Sequence, residues 1–369
     1  MLTDREQQIV NLLRRDPLMG SAALAQALGT TRAAINVHLS NLGKKGVILG
    51  RGYVLSESPG AVVVGGANVD LKARSAARAT PATSNPGHAS MTPGGVGRNI
   101  AENLARLGDR VDLVSIVGRD ALGDNLLEHT AAAGVRIEHV ARTDQPTGTY
   151  TAVLDMDGEL LVAIADMEAT AELGPQQLHA ARDVIAPAGV LVLDGNLSRE
   201  AFDHALDLGR GVRSVFEPVS VPKAALLKEA VDGRLHAVTP NRDELAALTD
   251  LPTRTDRQVR VAARALHDRG VELVWIRLGA RGSLLSSVDD VLEIEALPAT
   301  VDDVTGAGDA MLAAFCHVLL AGGSAQDAAR FGHAAAALTI ASPHTVRPDL
   351  TPRLLQATLE ARPDQETDR

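Results

Sequence analysis

Along the first 45 residues, apolar side chains recur every three or four positions, the period of a helix with one buried face. Ile9, Leu12 and Leu13 follow Thr3 and Glu6, a pair with capping-box spacing, and the pattern breaks at Asp16-Pro17. Ser21 is placed to cap a short second helix with Leu24, Ala25 and Leu28 inward and Gly29 past its end. Thr31 is placed to cap a third, carrying Ile35, Leu39 and Leu42. Residues 47–55 then read as a hairpin. From residue 61 the pattern changes to short apolar runs, at 61–70, 111–117, 189–193, 213–216, 235–238 and 273–278, separated by helical stretches. That alternation is what the βαβ units of a parallel sheet require. Within residues 149–165, apolar stretches flank Asp157-Gly158, a turn pair that predicts a hairpin.

Composition narrows the class. The 369 residues, 45% apolar and 22% charged, allow two or three domains or one large domain with a small one, and they exclude a disulfide-stapled miniprotein and a disordered chain. The single cysteine, Cys316, lies in an apolar run and reads as a buried hydrophobe, as expected in a reducing cytoplasm. No apolar run reaches the roughly 18 residues of a membrane span, and no apolar core follows the charged start, so neither insertion nor export is expected. An aromatic content of 2% disfavours a base-stacking surface for single-stranded nucleic acid.

Charge separates the two ends. The net charge is −10, yet residues 1–55 hold seven Lys or Arg against three acids, a balance of +4 that leaves −14 for the remainder. A basic head on an acidic body assigns any polyanion contact to the head. Its helices, with a short Gly-containing turn, resemble a winged helix-turn-helix domain over residues 1–56, followed by a linker at 57–60. That resemblance turns Thr31, Arg32, Ala33, Asn36, Val37 and Ser40 toward the major groove, with Arg32 and Asn36 as base readers and Lys44, Lys45 and Arg51 on phosphates. A head used only for dimerisation or regulation stays open as the alternative.

The body carries chemistry in separate pieces. The first apolar run ends in Gly65-Gly66 and then offers Asn68 and Asp70, and Gly94-Gly95-Val96-Gly97-Arg98-Asn99 enters a helix. Later, Thr305-Gly306-Ala307-Gly308-Asp309 opens a helix of small residues. The amides of Gly306, Ala307 and Gly308 at that helix start would be free of partners, and with the helix dipole they form a cradle for an anion. Asp309 at its rim can accept the proton of an attacking hydroxyl, which is what transfer of a phosphoryl group needs.

These pieces, with Thr239-Pro240-Asn241-Arg242-Asp243-Glu244 and Arg277-Leu278-Gly279-Ala280-Arg281-Gly282, resemble the ribokinase, or PfkB, family of carbohydrate and nucleoside kinases across residues 61–360. The resemblance implies an α/β fold, a three-layer α/β/α sandwich with a small β-lid near 72–92 and 147–166, preceded by the winged-helix head and followed by a disordered tail at 361–369. It implies Asp309 as general base with Gly306, Ala307 and Gly308 as anion hole, and Asn68, Asp70, Lys72, Gly94, Gly95, Asn99 and Asp166 on the acceptor. It puts Asn241, Arg277, Gly279, Gly282, Thr305 and His333 on ATP, and Asn241 and Glu244 around Mg²⁺. Arg277 departs from the Thr common in the family, and Ser342-Pro343-His344-Thr345-Val346 replaces the pattern that helps hold a monovalent cation, whose role stays open.

Several stretches, including 65–72, 83–87, 93–104, 149–151 and 162–167, resemble the pseudouridine kinase branch most closely. Its acceptor differs from uridine by an extra base N–H, for which Asp166, Asn85 and Ser84 are candidate partners or, alternatively, only strand-end and turn residues. The expectation is a cytoplasmic homodimeric kinase for the ribose 5′-hydroxyl of pseudouridine, able to contact DNA. Alternatives are a kinase for ribose, adenosine or fructose, and a transcription regulator that senses such a ligand.

Overall fold

The computed structural model describes residues 2–49 and 59–361. The chain divides into two compact units, Met1–Ser58 and Pro59–Arg369. The first contains three helices, α1 (Asp4–Arg15), α2 (Ser21–Ala27) and α3 (Arg32–Lys44), around a core of Ile9, Val10, Leu13, Leu24, Ala25, Ile35 and Leu42. Thr3 and Glu6 form the expected capping box, and Thr31 caps α3. Ser21 does not cap α2. Gly20 takes the extended cap position and Ser21 is the first helical residue, its Oγ accepting a bond from Arg32 Nε at 3.1 Å. Residues 50–55 of the expected hairpin, Arg51 among them, lie outside the described residues, as do 57–58 of the linker and the tail from 362.

In the second unit the described strands form two sheets. Nine strands build the larger one: β1 (Ala61–Val64), β4 (Val111–Gly118), β5 (Val140–Thr143), β8 (Val190–Asp194), β9 (Arg213–Glu217), β10 (Ala237–Val238), β11 (Leu273–Arg277), β12 (Ser283–Ser287) and β13 (Val291–Ile294). Their order is β13-β12-β11-β10-β9-β8-β1-β4-β5, parallel from β11 through β5 and antiparallel at the β12 and β13 edge. Alternate residues of one strand feed different cores. Val62, Val64, Leu191 and Leu193 pack with Phe202 and Leu266, whereas Ala61, Val63, Val190 and Val192 pack with Ile100 and Phe315. Helices therefore cover both faces, giving the three-layer α/β/α sandwich.

The smaller sheet, in the order β3-β2-β6-β7, contains β2 (Asn68–Ser75), β3 (Gly87–Gly94), β6 (Thr149–Leu154) and β7 (Leu160–Asp166). Asp157-Gly158 turns the β6–β7 hairpin, with Gly158 at φ +84°. One expectation changes here: 61–70 is not a single strand. The chain leaves the large sheet at Gly65 and re-enters extended structure at Asn68 in the lid, so the glycines end β1 and also mark a change of sheet.

Candidate active site

The carboxyl ends of the parallel strands carry the chemistry. Because β1 lies between β4 and β8, neighbouring connections diverge there and open a crevice beyond the strand ends, the usual ligand position in such sheets. Asp194 ends β8, Glu217 ends β9, Arg277 ends β11, and Gly65-Gly66 follow β1.

On the lid side, backbones approach too closely for side chains. Gly95 has φ +96°, and a Cβ there would stand 2.5 Å from Gly66 O. Asp194 Oδ2 accepts from the amides of Gly66 (2.8 Å) and Gly97 (2.9 Å), pinning the two glycine segments together. Arg98 is buried and braces the same turn: Nε donates to Gly94 O at 3.0 Å, and the remaining guanidinium nitrogens reach Glu102, Pro93 O and Asn99 Oδ1. Asn99 Nδ2 then donates to Asp309 Oδ2 at 2.8 Å, and Asn68 Nδ2 to Asp70 Oδ1 at 2.8 Å. Burial raises the Asp70 carboxyl above its ordinary range, against the Asn68 bond and the Arg98 charge. Asn68, Asp70, Gly94, Gly95 and Asn99 thus come together. Asp166 lies at the exposed end of β7, opposite Thr149 in register, and takes a 3.4 Å bond from the Glu168 amide; its carbonyl and Asn68 Cβ both flank Gly148. Asn85 is spent on its own loop, bonding Thr80 N (2.8 Å) and Thr80 O (2.9 Å), which favours the turn reading of 84–87.

Gly306 caps the helix Ala307–Leu320 in the left-handed region, φ +80°, where a Cβ would stand 2.0 Å from Thr345 O. The amides of Gly306 and Gly308 have no acceptor among the described residues, but Ala307 N bonds Val304 O at 3.3 Å, so the cradle offers two of its three expected donors. Arg277 supplies what sequence reasoning left in doubt. Its guanidinium lies against Gly308, with Nη1 2.6 Å from where a Cβ would be, and its other end donates to Glu217 (2.6 Å) and Glu244 (3.3 Å). Asn241 and Glu244 form a reciprocal capping box, with Asn241 N to Glu244 Oε2 at 2.8 Å. Asn241 Oδ1 is taken by that cap, so its Nδ2 donors suit a phosphate better than its oxygen suits a metal.

Sequence reasoning missed Asp194 and Glu217. Both are acids ending apolar parallel strands, and that position was the available signal. Gly279 and Gly282 make the turn joining β11 to β12, with Gly282 at φ +92°. His333 is buried, with Nε2 2.7 Å from Ser283 Oγ, and its ring edges Trp275; burial pushes its pKa down to about 4, so the ring is neutral. It borders a cavity of about 750 Å³ also lined by Ile294, Leu297 and Phe331. Lys72, expected on the acceptor, pairs with Asp303 at 3.3 Å, and Asp303 Oδ1 holds Thr305 through its amide (2.8 Å) and hydroxyl (2.6 Å).

Negative charge is under-compensated around Arg277. Burial pushes Asp309 up to about 7, Glu217 and Asp194 adding repulsion that Asn99 and Arg277 only partly offset. Burial and Glu217 likewise raise Glu244. Among the described residues no cluster of three or more His, Cys, Asp or Glu is arranged to hold a metal ion by itself. Oxygen donors with unbalanced charge nevertheless fit a hard cation that keeps most of its waters. If Asp309 must be ionised to act, kcat/KM falls about tenfold per pH unit below about 7. Glu217→Gln removes a repelling charge and moves this limb to lower pH; an unmoved limb in a pH profile contradicts the assignment. The same burial makes the Asp309 contribution to folding fall as pH rises from 3.8 to about 7, since the native state favours the protonated form.

In the head, Arg32, Asn36, Val37, Ser40 and Lys44 are exposed, the first four on one face of α3. Lys45 Nζ lies 2.7 Å from Glu6, an acid buried at the start of α1, so part of its charge is used inside the head.

Comparison with known proteins places both units. Residues 59–352 match the pfkB family carbohydrate kinase model, and residues 2–48 match a winged helix-turn-helix DNA-binding model. The chain is 35% identical to the uncharacterized sugar kinase YeiI of Escherichia coli K12 over 352 residues, 95% of this chain and 97% of that one. It is 33% identical to the pseudouridine kinase of the same organism over 292 residues, 79% of this chain and 93% of the relative. Among solved structures, Arabidopsis thaliana ribokinase complexed with ribose and ATP superposes with a TM-score of 0.76 at 26% identity, covering 82% of this chain and 99% of that one. Among the described residues no helix is long and apolar enough to cross a membrane.

Proposed function

Because the chain belongs to the pfkB family of carbohydrate kinases, we propose that it transfers the γ-phosphoryl group of ATP to the ribose 5′-hydroxyl of pseudouridine. The observation that carries this reading is the line Asn99–Asp309–Gly308–Arg277, in which a base fixed from the acceptor side stands beside free amides and a guanidinium. Asn99 occupies Asp309 Oδ2 and leaves Oδ1 to take the hydroxyl proton. The new bond joins the 5′-oxygen to the γ-phosphorus, the bond from that phosphorus to the β-bridging oxygen breaks, and ADP leaves. The Gly306 and Gly308 amides and Arg277 face the charge that spreads over the equatorial oxygens during transfer. Asn68 and Asp70 hold ribose hydroxyls, with Gly94 and Gly95 giving the backbone room.

Asn241, Arg277, Thr305 and the Gly279–Gly282 turn belong to the nucleotide side, and the His333 cavity suits the base. Glu244 and Glu217 would hold Mg²⁺ through water, and the ion would supply positive charge to neutralise the phosphates. Resemblance to a pseudouridine kinase supports the acceptor, with Asp166 as the remaining partner for the extra base N–H. A second acceptor, another nucleoside or sugar, is favoured by the longer match to YeiI, which spans the head as well. Initial rates with pseudouridine and uridine test the choice; equal kcat/KM for the two would remove the base-recognition argument.

The head extends the proposal to DNA-linked regulation, with a homodimer as the assembly that two half-sites would require. Arg32→Ala and Asn36→Ala are expected to relax sequence preference at one position each, and Lys44→Ala to weaken all sequences alike and lower the salt slope by about 1. Fluorescence anisotropy over a salt series reads both effects, and indifference to all three changes would leave the head a protein-contact module.

A further inference from the structure

Asn68, Asp70 and Lys72 share one face of β2, the lid strand that enters directly from the crevice. The first two stand on the acceptor side. Lys72 reaches further, to Asp303 Oδ2 at 3.3 Å, and Asp303 Oδ1 accepts from both the amide and the hydroxyl of Thr305, the residue before the cradle's cap Gly306. A single carboxylate therefore has one oxygen on the lid and the other on the cradle loop. Burial would raise the Asp303 carboxyl, but the Thr305 bonds and the Lys72 charge outweigh it and hold it ionised. Lys72 and Asp303 side chains are each 36% exposed, and a pair so accessible contributes little to folding. What it supplies is a link between the lid and the cradle loop, 231 residues apart in sequence.

We propose that Lys72 is a positioning residue that ties the lid to the phosphoryl cradle through Asp303, so that placement of the acceptor hydroxyl and placement of the anion donors are set together. The proposal rests on the kinase reading above and adds to it a role that Lys72 plays through Asp303. Transfer demands that the attacking oxygen and the phosphorus meet at near-contact distance, and a misplacement of about 1 Å can cost as much as 10²-fold. Lid closure that leaves the cradle unaligned would bind both substrates without productive geometry. The ammonium of Lys72 is the element that makes one arrangement imply the other.

The test uses the full chain with Lys72→Met, Lys72→Arg, Asp303→Asn and the Lys72→Met/Asp303→Asn double variant, with ATP, Mg²⁺ and the best acceptor from a panel of pseudouridine, uridine, adenosine and ribose. Lys72→Met is expected to lower kcat about tenfold with KM for ATP within about twofold, and Lys72→Arg to recover most of the loss. Asp303→Asn should match Lys72→Met, and the double variant should lose no more than either single change, since each removes the same bridge. Hydrogen exchange at residues 303–308, measured without substrates, should quicken in Lys72→Met and stay near wild type in Lys72→Arg. A normal kcat in Lys72→Met, multiplicative losses in the double variant, or unaltered exchange would each overturn the proposal. If the wild-type chain turns over no acceptor, the kinase reading fails separately and the exchange comparison alone decides the bridge.

Discussion

Asp309→Asn is expected to lower turnover by about 10²-fold or more while leaving acceptor and ATP binding close to wild type. The size follows from the loss of a positioned base. The substitution is isosteric, and the amide oxygen can still accept from Asn99 Nδ2, so the side chain keeps its place while losing the ability to take a proton. It also removes a carboxylate whose ionisation is opposed by burial, with a pKa near 7. Above that pH the variant should be at least as stable as wild type, so lost activity cannot be assigned to unfolding. Calorimetry alongside initial rates checks both statements, and undiminished turnover would remove Asp309 from the mechanism.

Gly306→Ala is expected to be comparably severe by a different route. Position 306 combines φ +80° with a Cβ direction that ends 2.0 Å from Thr345 O. The left-handed backbone alone costs a non-glycine residue roughly 1–2 kcal/mol. The clash adds a forced shift of either the 345 segment or the cradle amides, and loss of one such donor costs about 10²–10³ in turnover. Gly322 provides the control. It has φ +78° and nothing within 4 Å of a Cβ, so Gly322→Ala carries the backbone strain without the clash. Melting temperatures should fall in both variants, and kcat only in Gly306→Ala. Equal kcat in the two would show that the close approach at Thr345 has no bearing on transfer.

The legible parts of the molecule were those with local causes. Thr3 with Glu6, and Thr31 before α3, satisfy amides within their own first turns, so their roles can be read three residues away. The cradle was legible for the same reason, since its glycines and Asp309 lie on one turn. Ser21 failed by one position because the cap is defined by backbone conformation, and Gly20 takes the extended one. That the chain from 61 to 70 serves two different sheets is not legible in its residues, since apolar and polar pattern does not say which sheet a strand joins. Only the pairing of Asn68 with Gly94 and of Val69 with Thr149 separates them.

The lid shows the same limit. Residues 73–83 read from composition only as a mobile or lid-forming stretch, whereas 73–75 are held extended in the small sheet by pairing with β3, and 73–74 also with β6. Arg277 was uncertain because its meaning depends on Glu217, 60 residues away, and Glu244, 33 away. The Lys72–Asp303 pair spans 231 residues, beyond any local pattern.

The central claim is that this site phosphorylates a nucleoside, with Asp309 as base. The most direct measurement is ADP release from the purified chain with ATP and Mg²⁺ across pseudouridine, uridine, adenosine, ribose and fructose, with Asp309→Asn beside it. Turnover is expected to prefer pseudouridine and to fall about 10²-fold or more in the variant. Preference for another acceptor would keep the catalytic site and discard the assigned substrate. Absence of Asp309-dependent ADP release with every acceptor would contradict the account.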